Sequence, residues 1–407
     1  MRILFISQYA GAPEMGMVTR NYNWASEFIR LGHRCTIIAA SHSHYRQKNI
    51  NIKGEKFKEE KIDGITYYWI KTRTYNAKNN ILRVLAILQF QIGLRKLLAN
   101  LQNDYDVVVV SSPHPFQIYL GHKFSKKCNA KLIFDIRDLW PLTLQKIGKL
   151  SAYHPLIIAL KYAEKYALRN SDLVTAVPQN SKKYLVSKGM IPSKFLHIGN
   201  SLNLNSFGKS LPLEKMVQKN LIELKNQGST LVGYCGSLGL ANAMYVPIKA
   251  ISKTKDVRIN LVIIGNGTKE DELKLLAKDL DIQERVHFFD FLPHNQVPAF
   301  LSLMDASYVG SLKSKLYKYG ASPTKINDYM VAEKPIIYAV GDPNNSIEKS
   351  GCGICCKAED IDQIAIAMDK IAKMKNSELQ VMGERGRTWL LKNQTIQRQI
   401  QQILNKL

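Results

Sequence analysis

The sequence predicts an α/β protein made of two consecutive doubly wound domains, and three observations carry that expectation. The chain has 407 residues, more than one hydrophobic core usually serves, so two domains of about 200 residues are expected. Short apolar, β-branched runs alternate with helix-length segments, the pattern of βαβ units and a parallel sheet. The periodicity then breaks in the polar, Lys-rich stretch Asn203 to Lys225 around Pro212. The expected division is 1–204, 205–390 and a terminal helix 391–407 that packs back on the first domain.

The elements follow in order. A strand at Ile3–Ile6 leads through a loop with Gly11, Pro13 and Gly16 into a helix at Arg20–Arg30, which Leu31-Gly32-His33 ends. A second strand at Thr36–Ala40 completes the first βαβ unit. Val107–Val110 is a continuous β-branched run, as expected of a strand covered on both faces. Lys131–Phe134, Leu173–Ala176 and Phe195–Ile198 are further strands. The second set is Leu231–Tyr234, Asn260–Ile264, Val286–Phe289, Ala306–Val309 and Pro335–Ala339. The terminal helix carries Ile396, Ile400 and Leu404 four apart. Open parallel sheets bind ligands beyond the carboxyl ends of their strands, so the strand-end loops hold the candidate site residues.

Charge narrows the partners. The net charge is +24, and residues 1–200 carry 30 Lys and Arg against 12 Asp and Glu, so the excess sits in the first half. Such a field favours an anionic membrane surface, a phosphorylated substrate or nucleic acid. Nucleic acid is set aside because no zinc finger, RRM-type aromatic motif or basic tail occurs. Asn80–Leu98 reads as an amphipathic helix flanked by Arg83, Arg95 and Lys96, with Lys53, Lys56, Lys58 and Lys61 upstream. A core-packed helix and a membrane-surface helix both fit that pattern. The start lacks the apolar run of a signal peptide and no window of 18 apolar residues occurs, so a cytoplasmic, peripheral membrane location is expected. Cys352, Cys355 and Cys356 read as small hydrophobes near a strand, since a second ligand pair for zinc is missing.

The richest window is Tyr319 to Pro335. Ser322-Pro323 reads as a helix N-cap and first helical position, followed by Thr324 and Lys325, with Asp328 three residues on along the same face. A cation, a carboxylate and a helix start suit a phosphorylated, hydroxyl-rich ligand. Two glycine loops follow strands in the same half: Gly236-Ser237 after Tyr234-Cys235, and Gly265-Asn266-Gly267 after Ile264. The third glycine of a dinucleotide fingerprint is absent, as is a phosphate-binding P-loop motif. In the first half, Asp135-Ile136-Arg137-Asp138-Leu139-Trp140-Pro141 ends one strand, with Arg137 placed to neutralise one of the carboxylates. His114, between Pro113 and Pro115, ends another and is expected in an exposed, extended turn.

Taken together these segments resemble the retaining GT-B glycosyltransferases of the family 4 type, in the bacterial branch that builds O-antigens and capsular polysaccharides. The resemblance rests on the opening Met1-Arg2-Ile3-Leu4 with Pro13-Glu14 and Gly16, Leu31-Gly32-His33, Arg137 to Pro141, Tyr234-Cys235-Gly236, Ile264 to Gly267, and Ser322-Pro323-Thr324-Lys325 through Asp328-Tyr329-Met330. It implies a GT-B fold of two Rossmann-like domains facing across a cleft. It also implies transfer of a sugar from a nucleotide-sugar, UDP before GDP, to a lipid-diphosphate-linked saccharide, without metal or other cofactor. Gly16, Gly236, Ser237, Gly265 to Gly267, Tyr319, Ser322 to Lys325 and Asp328 would then bind the donor. Asp138, His114 and Lys325 would serve the chemistry, with Glu14, Arg20 and Arg137 on the acceptor side. The sequence departs from the family's paired acids, for Gly320 stands where the first is expected and the second is Asp328. The other enzyme reading is a GT-B sugar-nucleotide 2-epimerase, and the non-enzymatic one a basic membrane or nucleic-acid binding protein.

Overall fold

The computed structural model describes residues 1–16, 19–75, 80–202 and 210–407. The chain divides into two compact units, Met1–Gly199 with Ile396–Leu407, and Asn200–Thr395. The expected 204/205 boundary lies outside the described residues.

The first unit is built on eight strands: β1 (Arg2–Ile6), β2 (Arg34–Ala40), β3 (Phe57–Ile62), β4 (Ile65–Ile70), β5 (Val107–Ser111), β6 (Lys131–Ile136), β7 (Leu173–Ala176) and β8 (Phe195–His197). Their order is β3-β4-β2-β1-β5-β6-β7-β8, parallel except for the β3–β4 hairpin. Val107 to Ser111 are buried throughout, because helices cover both faces of a parallel sheet. Helix α1 (Arg20–Arg30) turns Trp24, Ala25 and Phe28 into the core. Ile396, Ile400 and Ile403 of the last helix, Ile396–Leu404, join the same apolar cluster, so the chain end returns to the first unit.

Two features of this unit depart from the sequence reading. The hairpin β3–β4 was not anticipated, although Asp63-Gly64 marks it. Both residues adopt positive φ, 48° and 80°, as a two-residue turn between twisted strands requires. Helix α2 (Asn80–Asn100) is apolar on two faces rather than amphipathic. Ala86, Phe90, Leu94, Leu97 and Leu98 are buried, while Ile81, Val84, Leu85, Leu88 and Ile92 are exposed.

The second unit has six parallel strands: β9 (Thr230–Cys235), β10 (Ile259–Ile264), β11 (Val286–Phe289), β12 (Ala306–Gly310), β13 (Ile336–Ala339) and β14 (Gly353–Cys355). Their order is β11-β10-β9-β12-β13-β14. Placing β9 at the centre, between β10 and β12, brings the loops after the inner strands to one edge.

A buried ion pair fastens the carboxyl edge of the first sheet. Arg20 of α1 donates from Nε and Nη2 to the two oxygens of Asp135 on β6, at 3.0 and 2.9 Å. It also donates to the carbonyls of Gly199 and Ile198, at 2.8 and 3.0 Å, and lies over the Trp24 ring. Thr175 and Ser111 donate to the same carboxylate. Burial opposes the charge on Asp135, but Arg20 and these donors hold its pKa below the ordinary value. The guanidinium beside Asp135 is therefore that of Arg20, not Arg137, and Arg20 is committed to the fold rather than to an acceptor. Arg20→Ala leaves a carboxylate buried without its countercharge, so urea unfolding should show a loss of about 3–5 kcal/mol. A loss under about 1 kcal/mol would mean the pair contributes no more than a surface one.

Candidate functional site

In the second unit, two strand ends and one helix start converge. β9 ends at Cys235 and the chain turns at Gly236, whose φ is 155°. A Cβ there would stand 2.9 Å from Lys325 Nζ, so only glycine leaves the amine its place. The loop after β10 packs on this turn backbone to backbone. Cβ atoms would stand 2.0 Å from Gly236 O at Gly265 and 2.5 Å from the Leu238 backbone at Gly267. Gly236 N donates to Ile264 O at 2.9 Å and Leu238 N to Asn266 O at 2.8 Å. The G-x-G after β10 thus serves first to let two loops touch. That role was not separable in sequence from close approach to a ligand.

The helix Thr324–Val331 presents Lys325 to this turn. Its Nζ donates to Tyr234 Oη at 2.8 Å and to Asn242 Oδ1 at 3.2 Å, and lies 4.0 Å from the Tyr234 ring centroid. Among the described residues no carboxylate pairs with it. Burial without a countercharge lowers the amine pKa to about 7. Asp328, 8% exposed, instead accepts from His294 Nε2 at 3.2 Å and raises the pKa of that imidazole. Lys325 and Asp328 share a helix but serve different neighbours.

The helix start differs from expectation by one position. Thr324 is the first helical residue, Pro323 occupies the N-cap, and neither Pro323 nor Ser322 caps the helix with a side chain. Ser322 Oγ accepts from Asn200 N at 3.2 Å, Asn200 Nδ2 donates to Ser322 O at 2.6 Å, and Asn327 Nδ2 donates to Asn200 O at 2.9 Å. The turn before it is held by Asp342, which accepts from Ala321 N at 3.2 Å and from Tyr338 Oη at 2.7 Å. Burial raises the Asp342 pKa to about 6. A carboxylate thus reaches the Gly320-Ala321 turn from a distant loop. Tyr319 closes the turn that precedes Gly320, where φ is 98°.

In the first unit the strand ends carry a second set. His114 is 1% exposed, against the expectation of an exposed turn. The flanking prolines do hold it extended, at φ −95° and ψ 133°, but Tyr9 and Phe116 cover the ring. Its Nε2 lies 2.6 Å from Gln8 Oε1, and its Nδ1 has no hydrogen-bond partner. Gln8 Oε1 can only accept, so Nε2 carries the proton and Nδ1 a free lone pair. Burial and the nearby Arg83 lower the pKa to about 3, so the imidazole is neutral near pH 7. Tyr9 also packs on Tyr45 and His44, a ring cluster the sequence reading missed.

Asp138 stands open to solvent, yet protein crowding raises its pKa while Arg137 opposes the rise. Arg137 is half-buried, and its backbone N donates to Ser112 Oγ at 2.9 Å. Glu14 is exposed in the turn Pro13–Met15, and Gly16 follows at φ 101°. Among the described residues no three His, Cys, Asp or Glu side chains come together as a metal-ligand set.

Residues 219–389 match the family described as Glycosyl transferases group 1, and residues 15–206 match Glycosyltransferase Family 4. The chain is 19% identical over 242 residues to a 2-deoxystreptamine glucosyltransferase of Streptomyces kanamyceticus, a stretch covering 58% of this chain and 59% of that protein. Anabaena HepE, solved in complex with UDP, superposes over the whole of both chains with a TM-score of 0.70 at 16% identity. WaaG, a glycosyltransferase involved in lipopolysaccharide biosynthesis, matches with a TM-score of 0.67 at 14% identity, covering 99% of this chain and 98% of its own. Both halves of this chain are glycosyltransferase domains, a family 4-like domain followed by a group 1 domain, and the chain is a GT-B glycosyltransferase.

Proposed function

We propose that this enzyme moves a glycosyl group, with retention, from a uridine-diphosphate sugar to a lipid-diphosphate-linked saccharide. The setting is the inner face of the cell membrane, in cell-surface polysaccharide assembly. The observation that carries the reading is Lys325, held at a helix start beside the glycine turn of β9 with no carboxylate partner. A half-buried amine in that state is arranged for a polyanion. HepE is solved with UDP, and WaaG works in lipopolysaccharide biosynthesis, which supports the nucleotide and the pathway class. The basic excess of the first half supports a diphosphate-bearing, membrane-held acceptor.

The chemistry is mainly placement and charge. The bond between the anomeric carbon and the β-phosphate oxygen breaks, and the acceptor hydroxyl oxygen bonds to the same face of that carbon. The hydroxyl proton passes to the departing diphosphate. Lys325 and the helix start stabilise the charge that builds on the leaving oxygens. Asp328 lies one helical turn on, with His294 bonded to it from a separate turn, and the pair suits the ribose hydroxyls. His114 is neutral and enclosed by Tyr9 and Phe116, so it braces the strand end through Gln8 rather than shuttling protons. Asp138, at the end of β6, orients the acceptor. Exposed Glu14, after β1, and half-buried Arg137, after β6, lie at carboxyl ends of the same sheet and contribute to its binding.

Two measurements test this. Lys325→Ala should lower turnover with a UDP-sugar by about 100-fold or more, the scale of losing one charge-stabilising donor. Proton NMR of the product should show the anomeric configuration of the donor. Full activity of the variant, or an inverted product, overturns the assignment. The second measurement uses the lowered amine pKa. The sugar-diphosphate ester does not titrate near neutrality, whereas bound phosphate favours the charged amine. At pH 8 most free enzyme carries neutral Lys325, so calorimetry of UDP-glucose binding in different buffers should report uptake of nearly one proton. At pH 6 the amine is already charged and uptake should vanish. Affinity should fall as pH rises above about 7, by at most tenfold per unit.

A further inference from the structure

We propose that the groove between α2 and the β3–β4 hairpin is a headgroup site for anionic phospholipid, with the outer stripe of α2 seated against the acyl chains. The proposal deepens the membrane reading above, and its test is separate from transfer. A soluble helix normally hides its apolar stripe and leaves polar residues outside, whereas one apolar all round belongs in a core or in lipid. The outer positions Ile81, Val84, Leu85, Leu88 and Ile92 fall on one face at helical spacing. Ile81 is 75% exposed, Leu88 53% and Ile92 59%. At 21 residues α2 would reach across a bilayer, but no described helix is apolar enough to cross one. Lying along the surface is the arrangement that buries the stripe.

The groove supplies the second half of the site. It encloses about 510 Å³ beside the stripe, and Ile92 belongs to both. Lys56, Lys71, Arg73 and Lys96 line it against one carboxylate, Glu55. No ion pair engages any of the four cations among the described residues. Thr72, 7% exposed, also lines the groove, and its hydroxyl has no hydrogen-bond partner. A phosphodiester satisfies this set: it neutralises the cations and accepts from the orphan hydroxyl. The floor is rigid. Arg73 N donates to Gln89 Oε1 at 2.8 Å, which ties the loop after β4 to α2. Gly93 lets the helix lie close, for a Cβ there would stand 2.3 Å from Ile70 Cγ2. Charge complementarity therefore selects an anionic membrane over an apolar protein partner.

Flotation of the full chain with phosphatidylglycerol and with phosphatidylcholine vesicles tests the site. The anionic vesicles should bind and the zwitterionic ones should not. Each groove lysine contributes about fivefold near such a surface, so Lys71→Ala with Lys96→Ala should weaken binding about 25-fold. Leu88→Gln with Ile92→Gln should also release the protein. Thermal stabilisation by UDP should be unchanged in both variants, which separates loss of the site from loss of fold. Equal binding to both vesicle types, or variants that float like the parent, overturns the proposal. So does displacement from vesicles by millimolar inorganic phosphate at constant ionic strength, since the groove would then be a free-anion site. Vesicle binding that persists in a protein with no transfer activity upholds the headgroup site and counts against the transferase reading alone.

Discussion

A parallel sheet delivers the carboxyl end of every strand to one edge, and that constraint organises both units. In the first it gathers Ser7 to Tyr9, Ser112 to His114 and Arg137-Asp138. In the second it gathers Gly236-Ser237 and Gly265 to Gly267. The same constraint crowds polar backbone and charged side chains where no helix covers them. The two units meet it in opposite ways. The first closes part of its edge with the buried, doubly hydrogen-bonded Arg20–Asp135 pair. The second leaves the Lys325 amine in a half-closed setting of hydroxyl, amide and ring.

That difference separates scaffold from site. Arg20 ties α1 to β6 and to the segment after β8 with four hydrogen bonds, which use four of its five N–H donors on the protein itself. Lys325 has two neutral acceptors and no countercharge, so its environment is arranged for an anion that the protein itself does not provide. Local rules are expected to fail at functional positions, and a half-buried lysine without a carboxylate is such a failure.

Much of the architecture was legible in the sequence. The helix Arg20–Arg30 and the strands Leu173–Ala176 and Val286–Phe289 fall where periodicity placed them, because their apolar residues follow the period of the element they form. The hairpin β3–β4 was hidden by its edge strand, where Lys58, Glu59, Glu60 and Lys61 read as a charge run. At the site, Lys325 and the two glycine loops were visible as motifs. Asn200, Asn242, His294 and Asp342 were not, since they reach their partners across long sequence separations that leave no local mark. His114 shows the same limit. Its prolines announce the backbone conformation but say nothing of the rings that fold over it.

An amine that titrates near neutrality has a consequence for life among competing ions. A permanently charged pocket would hold chloride, phosphate and free nucleotides in proportion to their abundance, and each would have to leave before the donor entered. Because Lys325 is only partly protonated at pH 7, the vacant pocket offers small anions a weak field. It acquires its full charge only for a ligand whose other contacts offset the work of protonating a half-buried amine. Discrimination then resides in the empty enzyme as much as in the filled one.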